Sequence, residues 1–172
     1  MIIDKELANF RDDLAFSNTN SEEPFWDAVF KKAFPNMVSN VLCDDMVLQR
    51  HGIDRLIRLS SGDVVKVDQK IRRKSYPDIL LEYISVDKPV EKPGWIEKDL
   101  AIDYLAYAFL PTQRCYMYPW LLLRRAWLRF GEEWKVKYGV IPAVNKTYTT
   151  WSCPVPIDEL RIKISAAMII QL

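Results

Sequence analysis

The sequence predicts an α/β domain with a central mixed sheet flanked by helices. Three observations predict it. Three consecutive short runs rich in Ile, Val and Leu, at about 53–59, 64–72 and 79–85, are bounded by turn residues, as strands are. Apolar residues recur at helical spacing on both sides of these runs. The chain has 172 residues, 49% of them apolar, with 6 Trp, 8 Tyr and 7 Phe, which suffices for one substantial core.

The elements follow in order. Ser21-Glu22-Glu23-Pro24 sets a hydroxyl cap before acids in a first turn and predicts a helix start. Phe25, Val29, Phe30 and Phe34 follow, and Pro35 interrupts. A second helix is predicted over 36–49, with Met37, Val38, Val41, Leu42 and Met46 on one side and His51-Gly52 as its stop. The three strands come next, then a Pro-rich loop over 86–95. The run "EKDLAIDYLAYAFL" at 97–110 predicts a helix, and 115–118 a short strand. Pro119 introduces a long helix over about 120–137, and 147–151 reads as a strand. After Pro156, Asp158 and Glu159 suit a helical first turn, while the β-branched residues beyond leave that end element open. The whole reads as a single domain over 1–172, with its core at about 21–118 and a C-terminal extension over 119–172.

Composition narrows the function classes. A net charge of +1 gives no global attraction to polyanions, so a nucleic-acid partner must meet a local patch. Cys43, Cys115 and Cys153 are odd in number and far apart, which argues for buried free thiols rather than zinc ligands or a disulfide framework. His51 is the one histidine, so a His-based triad or His-rich metal site is hard to build. The N-terminal stretch lacks the apolar core of a secretory signal, and no run is long enough to span a membrane. The expectation is a soluble cytoplasmic protein.

Chemistry is concentrated in "DRLIRLSSGDVVKVDQKIRRKSY", 54–76. Read as a three-residue hairpin loop, Ser60-Ser61-Gly62 suits a type I turn closed by a left-handed residue. This register pairs Leu59 with Asp63 and Ile57 with Val65, and it sets Asp54 opposite Asp68. Opposed Cβ atoms lie about 4.5–5.5 Å apart. Lys70, two residues beyond Asp68, shares its face. Ile53, Ile57, Leu59, Val65, Val67 and Ile71 form the apolar face, with Arg55 and Gln69 as mismatches upon it. Two carboxylates so close need a cation, a shared proton or water between them. Hard oxygen ligands suit Mg²⁺ (or Mn²⁺), with the backbone carbonyl of Gln69 as a further ligand, and the chemistry suggested is metal-assisted phosphodiester hydrolysis. Lys70 would position or activate water, or stabilise the phosphate.

Asp54, thirteen intervening residues and then Asp68-Gln69-Lys70, on a hairpin after a helix, resemble the PD-(D/E)XK nuclease superfamily over roughly 21–117. The resemblance implies a restriction-endonuclease-like α-β-β-β-α-β core. It assigns Asp54 as the isolated acid, Asp68 as the acid of the half-motif and Lys70 as its lysine. Ile53 stands where the motif has Pro. Many members place another acid on the first helix, where Glu22, Glu23 and Asp27 are available, Glu23 being favoured. Glu82 is an additional acid if its face agrees.

Each feature also has an ordinary reading. The acids and lysine would make a salt-bridged surface hairpin. Arg72, Arg73 and Lys74 either hold phosphates flanking a scissile bond or form a solvated strand end. Trp120, Leu123, Trp127 and Phe130 fall at helical spacing and read as core, and Asp99 and Asp103 as surface acids near a helix start. The reading adopted is a divalent-metal-dependent DNA endonuclease, with DNA as partner, no membrane and a possible homodimer. The alternative is a catalytically inactive protein of the same fold that binds DNA or protein.

Overall fold

The computed structural model describes residues 24–172. The elements are α1 (Pro24–Ala33), β1 (Met37–Leu42), α2 (Met46–Arg50), β2 (Arg55–Leu59), β3 (Val64–Arg72), β4 (Asp78–Val86) and β5 (Lys92–Pro93), followed by a 3₁₀ turn at Trp95–Glu97. Then come β6 (Tyr104–Phe109), β7 (Arg114–Pro119), α3 (Trp120–Tyr138), β8 (Ile141–Val144), β9 (Thr149–Pro156), α4 (Ile157–Lys163) and β10 (Met168–Gln171). The expected cap at Ser21, with Glu22 and Glu23, lies outside the described residues.

Among the described residues the strands form two sheets. One has six strands in the order β1-β2-β3-β6-β7-β10; the other has four, in the order β5-β4-β9-β8. In the larger sheet β3 and β6 run parallel and the other neighbours run antiparallel. It is thus a mixed sheet flanked by helices, and each face covers its own core. On one face, Phe25, Trp26, Val29 and Phe30 of α1 pack on Ile57, Val67, Ala106, Ala108 and Met117. On the other, Leu105, Tyr107, Phe109, Tyr116 and Tyr118 meet α3 and the smaller sheet through Trp120, Leu123, Trp127, Leu81 and Val155.

Two predicted helices are strands. Over 36–49 the chain forms β1, then α2. The spacing of Met37, Val38, Val41 and Leu42 mimics a helix face, but Val38 and Val41 are exposed on an edge strand. Asp45 separates the two elements and caps α2, its carboxylate accepting from the amides of Val47 (2.7 Å) and Leu48 (3.2 Å). Over 97–110 the helix is absent. Leu105, Tyr107 and Phe109 serve one core while Ala106 and Ala108 serve the other, so β6 is buried on both faces. Such a strand shows no polar alternation, and its unbroken apolar run imitates a helix.

The α-β-β-β-α-β order therefore holds only in part. β4 leaves for the smaller sheet, where it pairs with β5 and β9. No α-helix lies in the connection from β3 to β6; α3 and the smaller sheet cover that face instead. The 86–95 loop contains β5. The end element combines both open readings, α4 followed by β10. Cys43, Cys115 and Cys153 are free and buried. No described helix is long and apolar enough to cross a membrane.

Candidate active site

The β2–β3 hairpin has the expected register. Ile57 pairs with Val65 and Arg55 with Val67. The Leu59 amide donates to the Asp63 carbonyl at 2.9 Å, and the Gly62 amide to the Leu59 carbonyl at 3.0 Å. Gly62 sits at φ 93°, and a Cβ there would meet nothing within 4 Å, so backbone conformation rather than space calls for glycine. The regular pairing ends at Arg55 and Val67, with Asp54 one residue beyond. The ladder breaks there in a specific way. The Asp54 amide donates to the Val67 carbonyl at 3.0 Å, and the Asp54 carboxylate accepts from the Gln69 amide at 2.8 Å. A side chain has replaced the next backbone acceptor.

Asp68, Lys70 and Arg72 follow on one face of β3, beside Leu105, Tyr107 and Phe109 of β6. Asp68 is 2% exposed. Its carboxylate accepts a 2.5 Å hydrogen bond from the Lys70 ammonium, and the Lys70 side chain keeps 32% of its surface exposed. Burial pushes the Asp68 carboxyl up to about 7; the Lys70 charge opposes this, while the Asp54 charge and a hydrogen bond with the Asp54 carboxyl add to it. Burial works against the Lys70 ammonium, but Asp68, Asp54 and more distant Glu82 outweigh it and hold its pKa above the ordinary lysine value. Asp54, Asp68 and Lys70 thus converge on one face.

A second strand reaches the same place. Glu82 on β4 is held up by burial, against the opposing charges of Lys70 and Lys98, and its carboxylate accepts bonds from Ser85 and from the Trp95 backbone. Trp95 stands beside Lys70, its ring centroid 5.9 Å from the ammonium. Gly94 permits this approach: a Cβ there would lie 2.2 Å from the Glu82 carbonyl oxygen. The 3₁₀ turn is fastened to α3 by Glu97, which accepts from the Trp127 indole at 2.7 Å and, through its backbone carbonyl, from Arg124 at 2.9 Å. A surface loop over 86–95, as the sequence predicts it, gives Gly94 and Trp95 no role at the site. The Pro-Gly-Trp run was the available signal.

The mismatched residues of the hairpin answer each other on the opposite face. Arg55, 3% exposed, donates to the Gln69 side-chain carbonyl at 3.1 Å and to Asn40 at 2.9 Å, with the Phe30 ring centroid 5.6 Å away. Asp27 lies 3.9 Å from Arg55 and accepts from Asn40 at 2.7 Å, which puts it across the sheet from Asp68. Ile53, expected on this side, belongs to the other core. Asp103 is not at a helix start; its backbone amide and carboxylate both bond to Lys66 on β3, at 2.8 Å each.

Arg72 pairs with Asp78 at 3.2 Å, and its guanidinium lies 3.8 Å from the Tyr76 ring centroid. Arg73 and Lys74 are exposed in the connection from β3 to β4. An open cavity of about 500 Å³ lies elsewhere, lined by Tyr76, Arg114, Tyr116 and Arg161 among others, and contains none of the acids of the site.

Among the described residues, no group of three or more His, Cys, Asp or Glu side chains is placed to hold a metal ion. The site offers two adjacent carboxylates and a strand edge. Gln69 directs its amide toward Asp54, and in an extended strand the carbonyl of a residue follows its amide to the same edge. Three hard oxygen donors of this kind, with water, fit Mg²⁺ or Mn²⁺ rather than zinc.

No protein-family model matches the chain, and no curated protein does. Among solved structures, a bacterial homing endonuclease is similar at 14% sequence identity and a TM-score of 0.42, over 63% of this chain and 69% of that one.

Proposed function

We propose that the protein is a divalent-metal-dependent nuclease that hydrolyses phosphodiester bonds in DNA. The observation that carries this reading is the convergence of Asp54, Asp68 and Lys70 at the end of the β2–β3 ladder, with the two carboxyls in mutual contact. Asp54, Asp68 and the Gln69 carbonyl would hold Mg²⁺ or Mn²⁺, which supplies Lewis acidity toward phosphate and a bound water of lowered pKa. Lys70 is held charged by its acidic neighbours, so it suits electrostatic stabilisation of a phosphate better than proton abstraction. Its exposed third lets it reach a ligand without leaving Asp68. Arg73 and Lys74 lie further along the same chain and would grip the DNA backbone.

The test is cleavage of plasmid DNA in Mg²⁺ or Mn²⁺. The wild type nicks or linearises it; Asp54→Asn, Asp68→Asn and Lys70→Ala do not, with circular dichroism unchanged. Cleavage that persists in Lys70→Ala defeats the assignment. A second reading, a module of the same fold that binds DNA without cutting it, draws on the absence of a three-residue ligand cluster among the described side chains. DNA binding that needs no divalent ion and survives Asp68→Ala selects it.

A further inference from the structure

The outer face of α3 carries an apolar stripe that the proposed chemistry does not use. Leu121 is 78% exposed, Leu128 67% and Val136 89%. At about 100° per residue these three, with Arg125 and Glu132, fall within an arc of about 80°. Leu123, Ala126, Trp127 and Trp134 occupy the opposite side and are buried. The stripe therefore faces directly away from the core. Exposed leucine and valine aligned on one side over four turns of helix, rather than scattered, suit a surface that a partner covers.

The charges within the stripe say what covers it. An antiparallel axis midway between Leu128 and Arg129 brings the two ends of the stripe together, with Leu128 level with Arg129 of the partner subunit. A second copy placed by that axis sets Leu121 against Val136 of the partner subunit and Arg125 against Glu132 of the partner subunit, each contact occurring twice. Glu132 is 91% exposed at its side chain, although it also pairs with Lys135 of its own helix. Lys135 also reaches over the Tyr83 ring, at 4.9 Å, on the flank of the stripe. A parallel pairing would instead oppose arginine to arginine and glutamate to glutamate, so the same charges select against it. Antiparallel helices also oppose their dipoles favourably.

We infer that α3 is the contact surface of a two-fold homodimer, formed by antiparallel packing of Leu121, Arg125, Leu128, Glu132 and Val136 on their symmetry mates. Such an interface is isologous, and each patch is its own complement. One helix pair buries less than the roughly 1,200–2,000 Å² of a standard stable interface, so the dimer is weak and concentration-dependent.

Sedimentation velocity on the full chain tests it. The wild type shifts from monomer toward dimer as concentration rises through the micromolar range. Arg125→Glu alone, or Glu132→Arg alone, sets like charges opposite each other twice and weakens association by more than about tenfold. An equimolar mixture of the two single variants re-forms a dimer, because each then meets its opposite charge in the other chain. Leu128→Glu serves as an independent disruption at an exposed position, where folding is undisturbed. A wild type that stays monomeric to about 500 μM overturns the inference, since that limit excludes even a weak interface. So does a dimer indifferent to either single reversal, or a mixture of the two variants that fails to associate. DNA cleavage is not a readout here, so failure of this inference and failure of the nuclease reading are separate results.

Discussion

The amide of Gln69 donates to the carboxylate of Asp54 at 2.8 Å, so the strand that carries Asp68 and Lys70 also aims the first acid. The three groups are therefore one unit, with β3 as its template. Substitutions should separate metal binding from chemistry within it. If Asp54 and Asp68 hold the metal as proposed, Asp54→Ala and Asp68→Ala should each weaken Mn²⁺ binding by more than about tenfold. Lys70→Ala removes a positive charge from the acids, so Mn²⁺ binding should persist or tighten while cleavage falls by about 10²-fold or more. Isothermal titration with Mn²⁺ and a nicking assay measure the two effects. Equal Mn²⁺ affinity in wild type and Asp68→Ala would remove the metal from the account.

The buried carboxyl of Asp68 should also set the pH dependence of stability. Its folded pKa, about 7, stands above the ordinary aspartate value of 3.8. Between those values the unfolded chain has released the proton and the native chain has kept it. Stability is therefore greatest on the acid side and declines as pH rises toward about 7. Asp68→Asn removes the Asp68 share of this dependence, leaving that of buried Glu82, and should raise stability at pH 8 by about 1–3 kcal/mol, since each pKa unit is worth about 1.4 kcal/mol and lost pairing with Lys70 offsets part. Urea denaturation at pH 5 and pH 8, without divalent ions, reads it directly. Mg²⁺ or Mn²⁺ should recover stability at pH 8 in the wild type but not in Asp68→Asn. A wild type more stable at pH 8 than at pH 5 in the absence of metal would contradict the sign.

The hairpin was legible in the sequence because its information is local. Three turn residues with Gly62 last, together with period-two alternation, suffice to set the register and bring Asp54 to Asp68. The apparent faults at Arg55 and Gln69 are one hydrogen-bonded pair. What was illegible depends on distant partners. Ala106 and Ala108 reveal a strand only once α1 is known to cover them. β4 resembles its predecessors in composition, yet its exit to a second sheet is decided by pairing with β9, some seventy residues on. Trp95 reaches Lys70 only because that exit carries the 3₁₀ turn back across the site.

Arg72 is engaged by Asp78 and by the Tyr76 ring, so Arg72→Ala should destabilise the fold by about 1–2 kcal/mol and affect DNA only indirectly. The double variant Arg73→Ala/Lys74→Ala changes two exposed residues of the connection from β3 to β4. Its DNA affinity should fall, and the slope of log affinity against log salt should shrink by about 2, in keeping with two lost phosphate contacts on duplex DNA. Fluorescence anisotropy across a salt series measures this. An unaltered slope would return Arg73 and Lys74 to the status of ordinary surface charges.

Gly94 joins the second sheet to the site, and its replacement tests that connection. A methyl group there would lie 2.2 Å from the Glu82 carbonyl oxygen and 2.7 Å from the Tyr83 backbone nitrogen. Neither is a flexible side-chain end, so the turn or β4 must move. The Gly94 amide also donates to the Tyr83 carbonyl at 2.9 Å, and that bond would be strained. Gly94→Ala should cost about 2–4 kcal/mol, an overpacking penalty with loss of a buried hydrogen bond. The displacement should fall first on Trp95, which follows directly and stands beside Lys70. The intrinsic fluorescence of Gly94→Ala should therefore shift. Cleavage by the fraction that remains folded should fall as well, although Asp54, Asp68 and Lys70 are untouched. Wild-type stability and fluorescence in Gly94→Ala would mean that β4 and the 3₁₀ turn are not packed as closely as the Cβ distances require, and Trp95 would lose its place beside Lys70.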